Sequence, residues 1–213
     1  MTNPPNLENR FLAPPNWKTD LFENDKTGHV IHYGWSCPQN ALGSVIILQG
    51  LQEFTEKYYE TARFFLKHNY NVVLFEWHYQ GRSGRFKKKP HKRHSDGFET
   101  DVLDLHHLIE NCLYPLSGQQ TPLHMVAHST GGNIGLRFLL EYPSFFRTAS
   151  FSAPLMGIYG LSAFPDWVIL GLLNILNLWP ESYIPGGHDW KKDDRKSDGS
   201  DKFSSDPVLF VII

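Results

Sequence analysis

The sequence predicts an α/β protein whose mostly parallel sheet is covered by helices on both faces. Short continuous apolar runs at Val45 to Leu48 and Val72 to Phe75 have the pattern of strands buried on two sides, and Leu123 to Ala127 reads as a third strand. Amphipathic stretches alternate with them, and strand–helix alternation builds βαβ units around a parallel sheet. A glycine-rich turn joins the third of these strands to the helix that follows it.

Residues 1–16 are rich in Pro and Asn and read as an arm without a core of its own. Asp25-Lys26-Thr27-Gly28 is a turn between Trp17 to Glu23 and His29 to Trp35, the pattern of a hairpin. After the first buried run, a helix is expected over Thr55 to Lys67, where Tyr58 or Tyr59, Ala62 and Phe65 or Leu66 recur at helical spacing. His68-Asn69 closes it, because Asn tolerates a left-handed cap. A second helix is expected over Asp96 to Leu113, with Val102, Leu105, Leu108 or Ile109, and Cys112 on one face. Asp96 and Glu99 resemble a capping box at its start. A third helix, Asn133 to Tyr142, is stopped by Pro143, and Ala149 to Ser152 reads as one more strand. The core is thus assigned to 17–154. Residues 155–213 form an incomplete cap or lid region, with no further strand rhythm and a solvated loop at 188–206.

Composition narrows the function. The chain has 213 residues, 41% of them hydrophobic, which excludes wholesale disorder. A net charge of −2 argues against a dedicated nucleic-acid binder. Cys37 and Cys112 are too few for a disulfide framework. The first residues lack a secretory pattern, and the apolar stretch Trp167 to Trp179 covers 13 residues where a membrane span takes about 20. A cytoplasmic protein is expected, with room for peripheral contact at the inner membrane surface.

Ala127-His128-Ser129-Thr130-Gly131-Gly132 carries the chemistry. It matches the Gly-x-Ser-x-Gly elbow with Ala in the first place. Small residues are needed where a strand turns sharply into a helix, and the turn lifts a serine hydroxyl over the sheet. The helix N-terminus behind it favours developing negative charge. Read without chemistry, the same residues are a turn that caps a strand.

Three motifs in order, over residues 17–160, resemble the α/β-hydrolase superfamily, in the branch of bacterial lysophospholipases, monoacylglycerol lipases and S33-type serine aminopeptidases. They are Leu48-Gln49-Gly50-Leu51, then Glu76-Trp77-His78-Tyr79-Gln80-Gly81-Arg82-Ser83, then the elbow. Gln49 stands where the family commonly has His, and Glu76, Tyr79 and Gln80 depart from its Asp-x-x-Gly-x-Gly-x-Ser loop. The resemblance implies Ser129 as nucleophile, the backbone N–H groups of Leu51 and Thr130 as oxyanion hole, and Gly131 and Gly132 as elbow glycines. It implies a serine esterase or lipase acting on an acyl ester, lysophospholipid or monoacylglycerol. A peptidase or small-ester hydrolase of the same fold is the alternative.

In this fold the chain order is Ser, acid, His. His188 is the only histidine after Ser129, with Asp166 or Glu181 as nearby acids, and a surface-loop histidine is the plainer reading of it. His124 belongs to the strand, and His128 packs near the elbow without being the base. The resemblance implies further strands carrying the triad acid and His, and the chain stops on the apolar run Val208 to Ile213. A truncated or frameshifted product, or a fragment, is therefore expected, which leaves a non-catalytic remnant as a further alternative.

Two stretches remain. Trp167 to Trp179 has ten apolar residues in 13 and reads either as a lid over an acyl pocket or as a core helix of the cap. Arg82 to Arg93 holds seven of the 20 basic residues and reads as a solvated loop or as an attraction to anionic headgroups. His91 and His94 lack the spacing of a metalloprotease motif. No metal and no cofactor is expected.

Overall fold

The computed structural model describes residues 12–86, 89–90, 92, 94–157, 164–176, 178–179 and 182–183. Six strands form one sheet in the order β1-β2-β4-β3-β5-β6. They are β1 (Lys18–Asn24), β2 (His29–Ser36), β3 (Ser44–Leu48), β4 (Asn71–Glu76), β5 (Leu123–His128) and β6 (Thr148–Ser152). Strand β2 runs antiparallel to both its neighbours, β1 and β4, and β4, β3, β5 and β6 are mutually parallel. The sheet is therefore mixed only at the hairpin end. Gly28 closes the hairpin turn at φ 71°, with its N–H donating to the Asn24 carbonyl over 2.7 Å.

The apolar runs serve two cores at once. Strand residues alternate faces, so Ile46, Leu48, Val73 and Phe75 join a core with Leu105, Leu108, Ile134 and Phe138. Val45, Ile47, Val72 and Leu74 face the other way and pack with Tyr59 and Ala62. Helix α1 (Tyr59–Lys67) covers one face, and α2 (Phe98–His107) and α4 (Ser129–Glu141) cover the other.

Three helix starts differ from the sequence reading. The 55–67 helix opens as a 3-10 turn, Thr55–Tyr58, before α1. The 96–113 helix begins at Phe98 with Gly97 as its cap, and Asp96 does not cap it. Asp96 instead accepts from His29, Nε2 to Oδ2 2.9 Å. Past His107 the helix widens into a π-helical turn, Leu108–Leu113, and ends in α3 (Tyr114–Ser117). The third helix starts at Ser129, four residues ahead of Asn133. Its Ser-Thr-Gly-Gly start has poor helix propensity, and tertiary contact holds it instead.

Helix α5 (Asp166–Leu176) buries none of its residues, and Trp167 is 75% exposed. Among the described residues no helix is long and apolar enough to cross a membrane. Lys87, Lys88, His91 and Arg93 of the basic stretch, His188, Glu181, the 188–206 loop and the apolar end of the chain lie outside the described residues.

Candidate active site

Strand β3 is followed by a crossover to β4 on one side, and β5 lies on its other side. The chain thus changes direction between β3 and β5, and in open α/β sheets ligands bind at the carboxyl ends of strands beside such a switch. Both loops of interest leave from there. β3 runs into Gln49-Gly50-Leu51, and β5 runs into Ser129.

Ser129 is the first residue of α4 and has φ 51°, a left-handed conformation rare for a side chain other than Gly, Asn or Asp. The strain follows from passing directly from strand to helix, with His128 still extended at φ −122° and ψ 138°. Small neighbours make the turn possible. A Cβ on Gly131 would lie 2.6 Å from the carbonyl oxygens of both Leu48 and Gln49, and one on Gly132 would lie 2.7 Å from Pro154 Cβ. A Cβ on Gly50 would come within 3.1 Å of Ser129 Cβ, so the loop after β3 abuts the elbow. The loop after β6 closes the other side. The Leu155 N–H donates to the Ser129 carbonyl over 2.8 Å, and the Asn133 side chain donates to the Leu155 carbonyl over 2.8 Å.

Ser129 is half-buried, Thr130 is buried and Leu51 is exposed. Amides in the first turn of a helix have no carbonyl behind them within the helix, which leaves the Thr130 N–H without an intrahelical partner. The neighbours of Leu51 are both committed: the Gly50 N–H donates to Glu53 Oε2 over 2.5 Å, and the Gln52 N–H to Gln80 Oε1 over 2.8 Å. Gln49, in the place where the resemblance has His, is fully buried and donates its side-chain amide to the Phe75 carbonyl. Its own carbonyl accepts from Trp77 Nε1 over 2.8 Å, so it anchors the loop after β3 to β4.

A polar group that the sequence reading did not find lies beside the elbow. Glu53 is buried, and its Oε2 accepts from Tyr58 Oη over 2.5 Å and lies 3.1 Å from His128 Nδ1. Lys57 Nζ pairs with Oε1. Burial pushes the Glu53 carboxyl up, but the donors Lys57, Tyr58, Gly50 and His128 outweigh it and hold the group below its ordinary value. The Glu53–His128 pair spans 75 residues of sequence, and no local pattern signals it.

The second resemblance loop is held by a buried charge. Glu76 accepts from the Thr55 N–H over 3.1 Å and from the Arg82 N–H over 2.6 Å. His32 Nδ1 lies 3.0 Å from Glu76 Oε2, close but without the aim of a hydrogen bond. Gly81, at φ 49°, is required there because the Glu76 carboxylate fills the space its side chain would take. His124 lies in β5, its Nδ1 2.8 Å from Thr148 Oγ1, away from the elbow network. Among the described residues no group of His, Cys, Asp and Glu could hold a metal ion.

A family model described as "Serine aminopeptidase, S33" matches residues 39–211. The chain belongs to this hydrolase family. Probable lysophospholipase L2 of Haemophilus influenzae is 34% identical over 152 residues, which cover 70% of this chain and 46% of that protein. Lysophospholipase L2 of Escherichia coli K12 is 29% identical over 150 residues, covering 69% and 43%. The chain thus spans under half the length of these curated relatives. Among solved structures, a soluble variant of monoglyceride lipase from Saccharomyces cerevisiae, in complex with a substrate analog, aligns at a TM-score of 0.60. It is 20% identical and covers 79% of this chain and 54% of its own. A thermostable carboxyl esterase from Bacillus coagulans aligns at 0.56, with 19% identity, covering 79% and 50%. These likenesses, with the sheet order above, establish the α/β-hydrolase fold for this member of the S33 family, in its lysophospholipase-like branch.

Proposed function

We propose that this protein is a serine hydrolase that cleaves carboxylic esters by acyl transfer to Ser129, with lysophospholipid or monoacylglycerol as substrate. The observation that carries the reading is the strained backbone of Ser129 at the strand-to-helix turn. A fold keeps such strain where surrounding structure over-determines it, and such residues cluster at active sites. The names of the curated relatives favour lysophospholipid over a peptide.

In the reaction, Ser129 Oγ attacks the ester carbonyl carbon while its proton passes to a histidine base. The carbonyl oxygen becomes an oxyanion held by the Leu51 and Thr130 amides. Losing one such donor costs about 3 kcal/mol of transition-state stabilisation. The C–O bond then breaks, the base returns the proton to the departing alcohol, and water hydrolyses the acyl-serine to the free acid. His188 is the base candidate within this sequence, with Asp166 or Glu181 before it in chain order as the acid. Helix α5 with its exposed Trp167, Leu170 and Leu173 is read as a lid and as a face for peripheral membrane contact.

The test is turnover of three substrates, a lysophosphatidylethanolamine, a monoacylglycerol and an aminoacyl anilide, by the wild type, S129A and H188A. Fatty-acid release from either lipid, lost in S129A, is expected. Anilide cleavage alone supports the peptidase alternative, and release that persists in S129A contradicts the assignment. Release lost in H188A supports His188 as base, and release that persists contradicts it.

A further inference from the structure

We propose that Glu53 is a positioning residue that sets both halves of the oxyanion hole with one carboxylate. The inference rests on the serine hydrolase reading and extends it to a residue outside the nucleophile and its donors. Glu53 Oε2 accepts the Gly50 N–H over 2.5 Å, one residue before Leu51. The same oxygen lies 3.1 Å from His128 Nδ1, one residue before Ser129 and two before Thr130. Tyr58 Oη completes the group, donating to that oxygen over 2.5 Å and lying 3.3 Å from His128 Nδ1.

The loop chemistry gives this contact a purpose. Three successive amides follow β3, those of Gly50, Leu51 and Gln52. Glu53 takes the first and Gln80 takes the third. Among the described residues the Leu51 N–H keeps no such bond, which leaves it for an incoming oxygen. A donor aimed at the oxyanion stabilises the transition state only when its direction is fixed in advance. A buried carboxylate bearing several donors is a stiff anchor, because releasing any of them leaves a buried polar group unpaired. The extra bond to His128 ties the loop after β3 to the end of β5, so the two amides are held to one frame.

Glu53→Gln keeps the volume and removes the charge and one acceptor oxygen. Two measurements follow on the full chain. The first is the rate of Ser129 modification by a fluorophosphonate, expected to fall by up to about 10²-fold in E53Q, the loss associated with one oxyanion donor. An unchanged rate in folded E53Q overturns the proposal. The second is amide hydrogen exchange at residues 50–52, which needs no catalysis. E53Q is expected to speed exchange of Gly50 while α2 keeps its protection. Unchanged exchange at Gly50 overturns the proposal. If the wild type takes no label, the hydrolase reading fails and the exchange result still decides the positioning role. If E53Q does not fold, the wild type decides: slow Gly50 and Gln52 amides around a fast Leu51 amide are expected, and a protected Leu51 amide overturns the proposal.

Discussion

Gly131 passes so close to Leu48 that a methyl group on it would lie 2.6 Å from the Leu48 carbonyl oxygen. That approach packs α4 against the end of β3 and brings the two loops of the crevice together. The contact is with backbone, which cannot swing aside as a long side chain would.

Gly131→Ala therefore forces the elbow and the loop after β3 apart. A loss of about 1–3 kcal/mol in stability is expected, the range for overpacking a tight site. Ser129 should also become unreactive to a fluorophosphonate while the protein remains folded. Urea unfolding and labelling of the same sample check both. A variant with wild-type stability and reactivity would contradict the close approach.

The strain at Ser129 has a consequence for stability. A left-handed backbone costs a residue with a side chain about 1–2 kcal/mol, a cost that Gly escapes. Ser129→Gly is expected to be more stable than Ser129→Ala by about 1 kcal/mol, although both lack the hydroxyl. Equal urea midpoints would show that the turn is unstrained.

Glu76 is a buried carboxylate serving two backbone amides and facing His32. Glu76→Gln keeps the shape but leaves donors underserved, a loss of about 1–3 kcal/mol. Burial raises the Glu76 pKa, but His32 and the Arg82 and Thr55 amides outweigh it and lower the value overall. A lowered carboxyl contributes stability above its unfolded pKa and loses it as the pH falls through the folded value. The wild type should thus weaken in acid more steeply than E76Q, as read by urea midpoints between pH 6 and pH 3.

His29 reports the opposite sign. Its ring lies between two carboxylates, 2.6 Å from Asp104 and 2.9 Å from Asp96. Burial lowers its pKa, but Asp104 and then Asp96 outweigh burial and raise it above the ordinary 6.5. The imidazolium's contribution is complete below the unfolded value and is lost as the pH rises through the folded one. Stability should decline from pH 6.5 upward in the wild type, and the decline should flatten in His29→Asn.

The strands were legible because their cause is local. Val45 to Leu48 and Val72 to Phe75 are apolar on both faces, and only a two-sided core accepts that pattern. The strand-to-helix turn at Ser129 was legible because the elbow's small residues are contiguous in sequence. Helix starts were not, where distant groups decided them. Asp96 has the look of a cap, yet it pairs with His29, 67 residues away. Ser129 to Gly132 have weak helix propensity, yet packing against Leu48, Gln49 and Pro154 makes them helical. Glu53 gave no signal because its partner His128 comes to it only when β3 and β5 pair.

Intact mass and peptide mapping after exposure to diisopropyl fluorophosphate test the central claim most directly. One adduct on the peptide containing Ser129, absent from Ser129→Ala, is the predicted result. A protein that stays unmodified while folded, or an adduct that persists in Ser129→Ala, would contradict it.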